Sequence, residues 1–509
     1  MAASDLAIPT IRAAPAKAAF SRLLPSLTDV FFFALLFTLF LSVPEGWDRL
    51  VWDGDTGLHT RTGDYILDHG AVPTTDPFSF TKPGERWYAF QWLSGVTFAL
   101  LNRWMGLKGI VLLTGVLIAA TCLVLLRNMV WRGANALISI VLVLIATNAI
   151  SIHFHARPHI FTLFFVAVAQ YLIARDQQRP SGWFWSIVPL TLLWANLHSG
   201  FPVILVMLGL LVVGQGIDAV FQKTGWSAVR RYALALALCA AATLVNPNGL
   251  SLYTHISQFL NNPWVLEHVD EYRSPVFRSE AMYYYLVLLF AGILSVRGMI
   301  DRAEWAQALW ILFFGAASLV SARHVPIFVI VALPFIAVEA TALFDAFARS
   351  QGPKSVAAVI QDVAARTLAR LQPVSIWSPI AVVAVALLCT TFPSDLSAKY
   401  FPRAIVERHA SELGAGRVFT TDQWGDYLLW KNYPRQKVFI DGRSDYFQEG
   451  VGNEYLRVYG AESGWRNTLD KYQVGMALVP TDIPLAAALR ADTAWKVVDQ
   501  DSKAILFRR

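Results

Sequence analysis

Residues 51–92 read V-W-D-G-D-T-G-L-H-T-R-T-G-D-Y-I-L-D-H-G-A-V-P-T-T-D-P-F-S-F-T-K-P-G-E-R-W-Y-A-F-Q-W. They follow an apolar run over about 27–43 that has the length of a bilayer-crossing helix. A long polar loop after a first membrane helix is unusual. This one holds paired acids, Asp53 and Asp55, a histidine at His59, and tryptophans near both ends, Trp52 and Trp87. A loop rich in titratable groups and held at a membrane surface is a candidate reaction site, and the rest of the chain shows what it reaches.

Of the 509 residues, 55% are hydrophobic and only 15% charged, far from the composition of a soluble domain. Apolar runs of roughly 16–22 residues recur, the length that spans a bilayer. The chain therefore reads as a polytopic α-helical membrane protein. The first run lacks a small-residue cleavage site and reads as a retained span. A net charge of +6 is small for this length. It fits cytoplasmic loop bias better than nucleic-acid binding, so bilayer lipids and not nucleic acid are the expected surroundings. Cys122, Cys239 and Cys389 all lie inside apolar runs, which argues against a disulfide framework or a zinc site.

About eleven spans are expected, at 27–43, 109–126, 134–150, 159–174, 183–196, 201–217, 231–245, 281–296, 305–320, 324–345 and 376–392. The apolar stretch 90–105 is ambiguous, and charge bias decides it. If it lies in the interface, Arg and Lys concentrate in the loops of one side; if it spans, every later loop swaps sides and the bias inverts. The interfacial placement divides the chain into a cytoplasmic tail (1–26), a transmembrane domain (27–392) with a first outer loop at 44–108, and a C-terminal part at 393–509. Segment 346–375 is basic and amphipathic and reads as a cytoplasmic surface helix. In the C-terminal part, G-R-V-F-T-T, Q-K-V-F-I-D, V-G-M-A-L-V-P, W-K-V-V-D-Q-D and A-I-L-F-R-R read as strands, with a helix or turn at 422–431 and another at P-L-A-A-A-L-R. That is long enough for a small extracytoplasmic α/β domain.

The same topology gathers the groups capable of chemistry on one non-cytoplasmic face. Asp53 and Asp55, one residue apart at a helix start, suit a general base or a divalent metal; Asp at such a start is also an ordinary helix cap. His59 falls one helical turn after Asp55, on the same face. Arg157, in H-F-H-A-R-P-H with His153, His155 and His159, is a fork-shaped donor suited to phosphate, and an interfacial anchor otherwise. His198, in W-A-N-L-H-S-G-F, sits beside Asn196 where two spans meet. Arg323 and His324 break the positive-inside bias, which an anionic ligand on the outer surface explains. Segment 264–275 supplies Glu267, Asp270, Glu271 and Arg273, of which Glu267 is taken for the acceptor side.

These residues carry a resemblance. The first loop, then W-Y-A-F-Q-W-L-S, A-R-P-H, W-A-N-L-H-S-G-F, N-P-N-G and S-A-R-H-V-P resemble a broad bacterial group of membrane proteins within the GT-C superfamily of glycosyltransferases. That superfamily includes protein O-mannosyltransferases, aminoarabinose transferases and oligosaccharyltransferases. The resemblance covers nearly the whole chain. It implies a sugar donor carried on a polyprenyl phosphate, and a first-loop carboxylate, Asp55 with Asp53 as alternative, acting as base or positioning a divalent metal. It also implies residence in the bacterial inner membrane with the C-terminal part outside the cytoplasm. Arg157, His155, His198, Arg323 and His324 would hold the donor phosphate. The tail resembles the soluble part of oligosaccharyltransferases: D-Q-W-G-D-Y-L at 422–428 and V-F-I-D-G-R-S-D-Y at 438–446 keep a tryptophan–aspartate–tyrosine order, rearranged. This adds Trp424, Asp426, Asp441, Arg443 and Asp445 to the acceptor side, the acceptor being a glycan, lipid or protein.

Two functional classes remain in view at this level. One is a glycosyltransferase. The other is a non-catalytic membrane protein that binds or carries a lipid-linked saccharide in envelope assembly, using the same basic pocket. A cavity shared by Asp55, Arg157 and Arg323 favours the first; acids turned to solvent favour the second.

Overall fold

The computed structural model describes residues 24–41, 46–371 and 375–509. Six helices are long and apolar enough to cross a membrane: Leu107–Trp131, Ala136–His153, His159–Gln178, Pro202–Phe221, Glu280–Asp301 and Ala322–Gln351. Leu27–Phe40, Trp305–Val320 and Trp377–Leu388 are shorter apolar helices. The expected spans at 183–196 and 231–245 are also helical, over Ile187–Leu197 and Ser227–Thr243, but fall short of that length. Runs this apolar must satisfy their own backbone groups in hydrocarbon, and the helix does so within one segment. Most of the expected N-terminal tail, and the end of the first span, lie outside the described residues.

Polar residues set how the helices meet. Ser26 caps helix Leu27–Phe40, and Asp29, in its first turn, accepts hydrogen bonds from Ser375 Oγ at 2.8 Å and Ser378 Oγ at 2.5 Å. The first helix is thereby tied to Trp377–Leu388, the last apolar one. Asp176 accepts a forked pair of bonds from Arg231 at 2.8 and 2.7 Å, fastening helix His159–Gln178 to Ser227–Thr243. Segment 346–375 is not one surface helix. Its first residues continue Val325–Gln351, Gly352 breaks the run at a positive φ of 82°, and a separate helix covers Val356–Arg370.

The first loop folds into two helices. Asp55–His69 ends at Gly70, whose φ of 67° closes it in the left-handed conformation. Trp92–Met105 packs along it. The two backbones touch at Gly63 and Gly95: a Cβ on Gly63 would lie 1.9 Å from the carbonyl oxygen of Gly95. Arg103 fastens the far end of the pair to Asp64 at 2.8 Å and to Asp68 at 2.5 Å.

The C-terminal part carries a four-stranded sheet, β1 (Val418–Phe419), β2 (Met476–Pro480), β3 (Lys496–Gln500) and β4 (Ala504–Arg508), in the order β1-β2-β4-β3. β1 runs parallel to β2; β4 is antiparallel to both its neighbours. Q-K-V-F-I-D, expected as a strand, is not in this sheet. Val438 pairs instead with the first loop: its N–H donates to Phe78 and its carbonyl accepts from Phe80, both at 3.0 Å. Its consecutive apolar residues Val438, Phe439 and Ile440 are all buried, so the segment is enclosed on both faces and not half-buried as an alternating strand would be. Loop and tail thus form one packed unit over the helices.

The Gly63–Gly95 crossing leaves no room to give way, because both contacting groups are backbone. Gly63→Ala should destabilise the protein by about 3 kcal/mol or more, the upper end of overpacking costs. Gly209→Ala, in open space within a helix, should not. Thermal unfolding of the two purified variants checks this.

Candidate active site

The D-G-D of the first loop places two carboxylates around one helix start. Asp53 Oδ1 accepts the N–H of Asp55 at 3.0 Å, a turn just ahead of the helix whose N-cap position is Gly54, so Asp53 is not the helix cap. Its other oxygen, Oδ2, lies 2.8 Å from Arg157 Nη1. Asp55 Oδ2 lies 2.7 Å from Arg157 Nη2. Glu271, from the short turn Asp270–Tyr272, meets Nη1 at 2.7 Å. Three carboxylates from two separate segments therefore converge on one guanidinium.

Charge and burial act against each other here. Burial disfavours the charge on Arg157, but Asp53, Asp55 and Glu271 outweigh it and hold its pKa well above the usual value. Arg157 pulls Glu271 well below the usual carboxylate range. Burial dominates at Asp55, which is 8% exposed, and with Asp53 and Glu271 it pushes the group up to about 8 despite Arg157. Burial and Arg157 push His59 down to about 3, so it is neutral.

These groups line one cavity of about 550 Å³. Its first wall is Asp53, Asp55 and His59 with Tyr88 and Trp92 of the same loop. A second wall holds Arg157, Arg323, His153, His159, His198 and His324. The tail closes the third with Asp422, Gln423, Gly442, Arg443, Ser444 and Asp445. Arg323 lies with its guanidinium 4.5 Å from the centre of the Tyr272 ring, and has no ion pair or hydrogen bond among the described residues. His198 is aimed by a relay. Trp194 Nε1 donates to Thr162 Oγ1 at 2.7 Å, and that hydroxyl lies 2.7 Å from His198 Nδ1. The N–H of Gly200 also donates to Nδ1, at 3.0 Å. With Nδ1 accepting, the ring proton sits on Nε2 as a donor. A Cβ on Gly200 would meet Thr162 Oγ1 at 2.5 Å, so glycine is what the relay leaves room for.

Several expected site residues take other places. Arg157 faces carboxylates and is not free to receive a phosphate. His155 is outside the cavity lining, whereas His153 and His159 are in it. Glu267 is exposed, and its carbonyl accepts from Arg273 at 2.9 Å; the acid of that segment that reaches the site is Glu271. Trp424 is buried, donating from Nε1 to the Tyr400 carbonyl at 2.9 Å, and Asp426 is fully buried beneath Asp55. Asp441 grips Arg443 through both its oxygens at 2.7 and 2.6 Å, and Asp76 of the first loop takes the remaining nitrogen at 2.8 Å. Of the acceptor-side set, Arg443 and Asp445 reach the cavity. Asp422 and His255 are additional wall residues; His255 Nε2 lies 3.0 Å from Asp445 and its ring stacks on Tyr88 at 4.6 Å.

A divalent ion does not fit the first-loop acids in this arrangement. Asp53 and Asp55 each turn an oxygen to Arg157, and the guanidinium stands where their shared cation would be. No group of three or more metal-ligating side chains is assembled among the described residues.

No family model and no curated protein matches the sequence. Solved structures do match in fold. An archaeal oligosaccharyltransferase from Archaeoglobus fulgidus, in complex with an inhibitory peptide and a dolichol-phosphate, superposes with a TM-score of 0.58 at 10% identity, over 91% of this chain and 70% of that one. The Archaeoglobus enzyme tethered to an acceptor peptide containing the NVT sequon gives 0.54 at 13% identity, over 91% and 69%. The chain has a GT-C-like fold. ArnT from Cupriavidus metallidurans, bound to undecaprenyl phosphate, aligns at a TM-score of 0.49 and 14% identity over 97% of this chain and 98% of its own.

Removing the guanidinium strands three acids together. Arg157→Met should cost about 3 kcal/mol, the low end for breaking a buried pair, since the Arg157 side chain is 24% exposed. Glu271 has its pKa depressed in the folded state, so the stability it draws from Arg157 is present at neutral pH and lost as pH falls through that depressed value. The gap in apparent Tm between wild type and Arg157→Met should therefore narrow on acidification. A gap that does not change with pH would show that the ion pairs contribute nothing.

Proposed function

We propose that this protein is a multi-pass membrane glycosyltransferase, moving a sugar from a polyprenyl-phosphate-linked donor to an acceptor on the extracytoplasmic side of the bacterial inner membrane. One observation carries the reading: a single cavity joins the first-loop carboxylates to Arg323, a guanidinium that makes no ion pair or hydrogen bond among the described residues. A half-buried cation with none of its N–H groups paired suits an anion, and a lipid phosphate supplies one. Likeness of fold to the archaeal oligosaccharyltransferases supports the same class. The eleven-span topology, with first loop and tail outside the cytoplasm, belongs to this proposal.

The residues divide the work. Arg323 and the Nε2–H of His198 hold the phosphate, with His324, His153 and His159 beside them. The bond from the sugar's anomeric carbon to the phosphate oxygen breaks, and the charge left on that oxygen is met by these fixed donors. A nucleophilic atom of the acceptor bonds the same carbon and gives its proton to Asp55. Asp55 is raised to about 8, near the pH at which a base is most useful. Arg157 keeps Asp53 and Asp55 in register and does not touch the phosphate. Arg443, Asp422 and Asp445 form the acceptor side.

Asp55→Asn keeps size and shape but cannot take a proton. Turnover should fall by roughly 10²–10⁴, the range for losing a general base, while binding of a polyprenyl phosphate survives. In the wild type the rate should rise with pH to a plateau above about pH 8, as Asp55 ionises, and Asp55→Asn should lose that rise. Consumption of lipid-linked sugar in membranes from a deletion strain carrying each variant measures both.

Arg323→Ala should weaken polyprenyl-phosphate binding by about 1.5–3 kcal/mol, the worth of a hydrogen bond to a charged group. The binding-only reading draws on the same phosphate pocket and on Asp55 being locked in an ion pair. Undiminished turnover in Asp55→Asn would favour it.

A further inference from the structure

The tail contributes a carboxyl group that the mechanism above does not use. Asp426, on helix Asp422–Asn432, is fully buried. Its Oδ1 accepts the N–H of Gly442 at 3.0 Å, and its Oδ2 has no hydrogen-bond partner. Two glycines show where Oδ2 lies. A Cβ on Gly442 would sit 2.7 Å from it and 2.3 Å from Asp55 Oδ1, so the two oxygens lie no more than about 5 Å apart beside Gly442. A Cβ on Gly54, between the two acids of the first loop, would meet the same Asp426 oxygen at 3.1 Å and the Asp426 Cβ at 2.9 Å. The N–H of Gly54 donates to Gln423 Oε1 on that helix at 2.7 Å. Asp55 Oδ2 is taken by Arg157, so Oδ1 is the oxygen left facing Asp426.

We propose that Asp426 is a positioning residue for Asp55: the two carboxyl groups, one from the tail and one from the first loop, share a single proton across Gly442, and that hydrogen bond fixes the direction in which Asp55 presents itself. A buried carboxylate oxygen left without a donor is expensive, and two adjacent carboxylates repel, so one proton between them removes both costs. The charged groups around the pair agree. Asp55 faces Arg157, Asp53, Glu271 and Asp422; Asp426 faces Asp55, Asp441 and Asp422. Arg443, next to Gly442 in the chain, is committed to Asp441 and Asp76. Acids thus outnumber free cations, and both carboxyls are raised above the usual range, Asp55 by burial first, and Asp426 by burial first and Asp55 next.

The role given to Asp55 rests on the proposed function, but the pair is tested without any substrate. Infrared spectra of the full-length protein in detergent, recorded across pH, report a protonated-carboxyl stretching band. In the wild type that band should persist above neutral pH. Asp426→Asn, which keeps the shape and makes the donor permanent, should move its loss at least one pH unit lower. Gly442→Ala, which pushes a methyl between the oxygens, should also shift it, whereas Gly450→Ala, with nothing near its Cβ, should not. A band whose pH dependence is the same in wild type, Asp426→Asn and Gly442→Ala overturns the pair and leaves glycosyl transfer standing. Loss of transfer in the wild type leaves the pair standing and overturns the other reading.

Discussion

The guanidinium of Arg157 is the point on which the site is assembled. It comes from the turn between two membrane helices, and its partners come from the first loop and from the turn at Asp270–Tyr272. None of these acids has another cation within ion-pair distance among the described residues. Without Arg157 the three carboxylates would repel across a partly dry cavity; with it, three segments far apart in the chain are held in register. A planar donor with fixed N–H directions does this better than a point charge, because its nitrogens address different acids at once.

Close approach of backbone carries that register outward. Gly63 against Gly95 sets the two first-loop helices together, and Gly54 and Gly442 let the tail helix come down onto the acids. Gly57 does the same against Trp430. Val438 then bonds the tail to Phe78 and Phe80 of the loop, and Arg443 bridges Asp441 to Asp76 across the same seam. The loop and the tail are separated by most of the membrane helices in sequence but are one body in space. The seam lies directly behind Asp55, so the positions that pack the tail also set the carboxylate.

Part of this was legible in the residues. Apolar runs gave the membrane helices, because in lipid a backbone has few ways to satisfy itself. The concentration of acids, histidines and arginines on one face followed from charge bias, and one cavity does collect Asp53, Asp55, His59, Arg157, His198, Arg323 and His324. Partnership was not legible. Arg157 reads as a phosphate donor in sequence because nothing there shows that two aspartates and a glutamate already surround it. Glu267 and Glu271 look alike; only the turn at 270–272 decides which one reaches the cavity. Q-K-V-F-I-D reads like a strand, but it is buried nearly throughout and its partner is a loop over 350 residues earlier. Asp426 belongs to a motif that suggests acceptor contact, yet burial takes it beneath Asp55. The glycines were the overlooked signal: D-G-D and D-G-R each place a glycine beside an acid, and each marks where another chain segment comes close.

The cavity's polarity follows from this arrangement. Its acids lie on the loop and tail, and most of them are already answered: Asp53, Asp55 and Glu271 by Arg157, Asp445 by His255. Its unanswered positive group is Arg323, beside donors such as the Nε2–H of His198, at the ends of apolar helices. An anion entering between them meets a cation at the membrane side and fixed negative charge at the loop side. The field inside the cavity therefore has a direction, from Arg323 toward the carboxylates of the loop and tail.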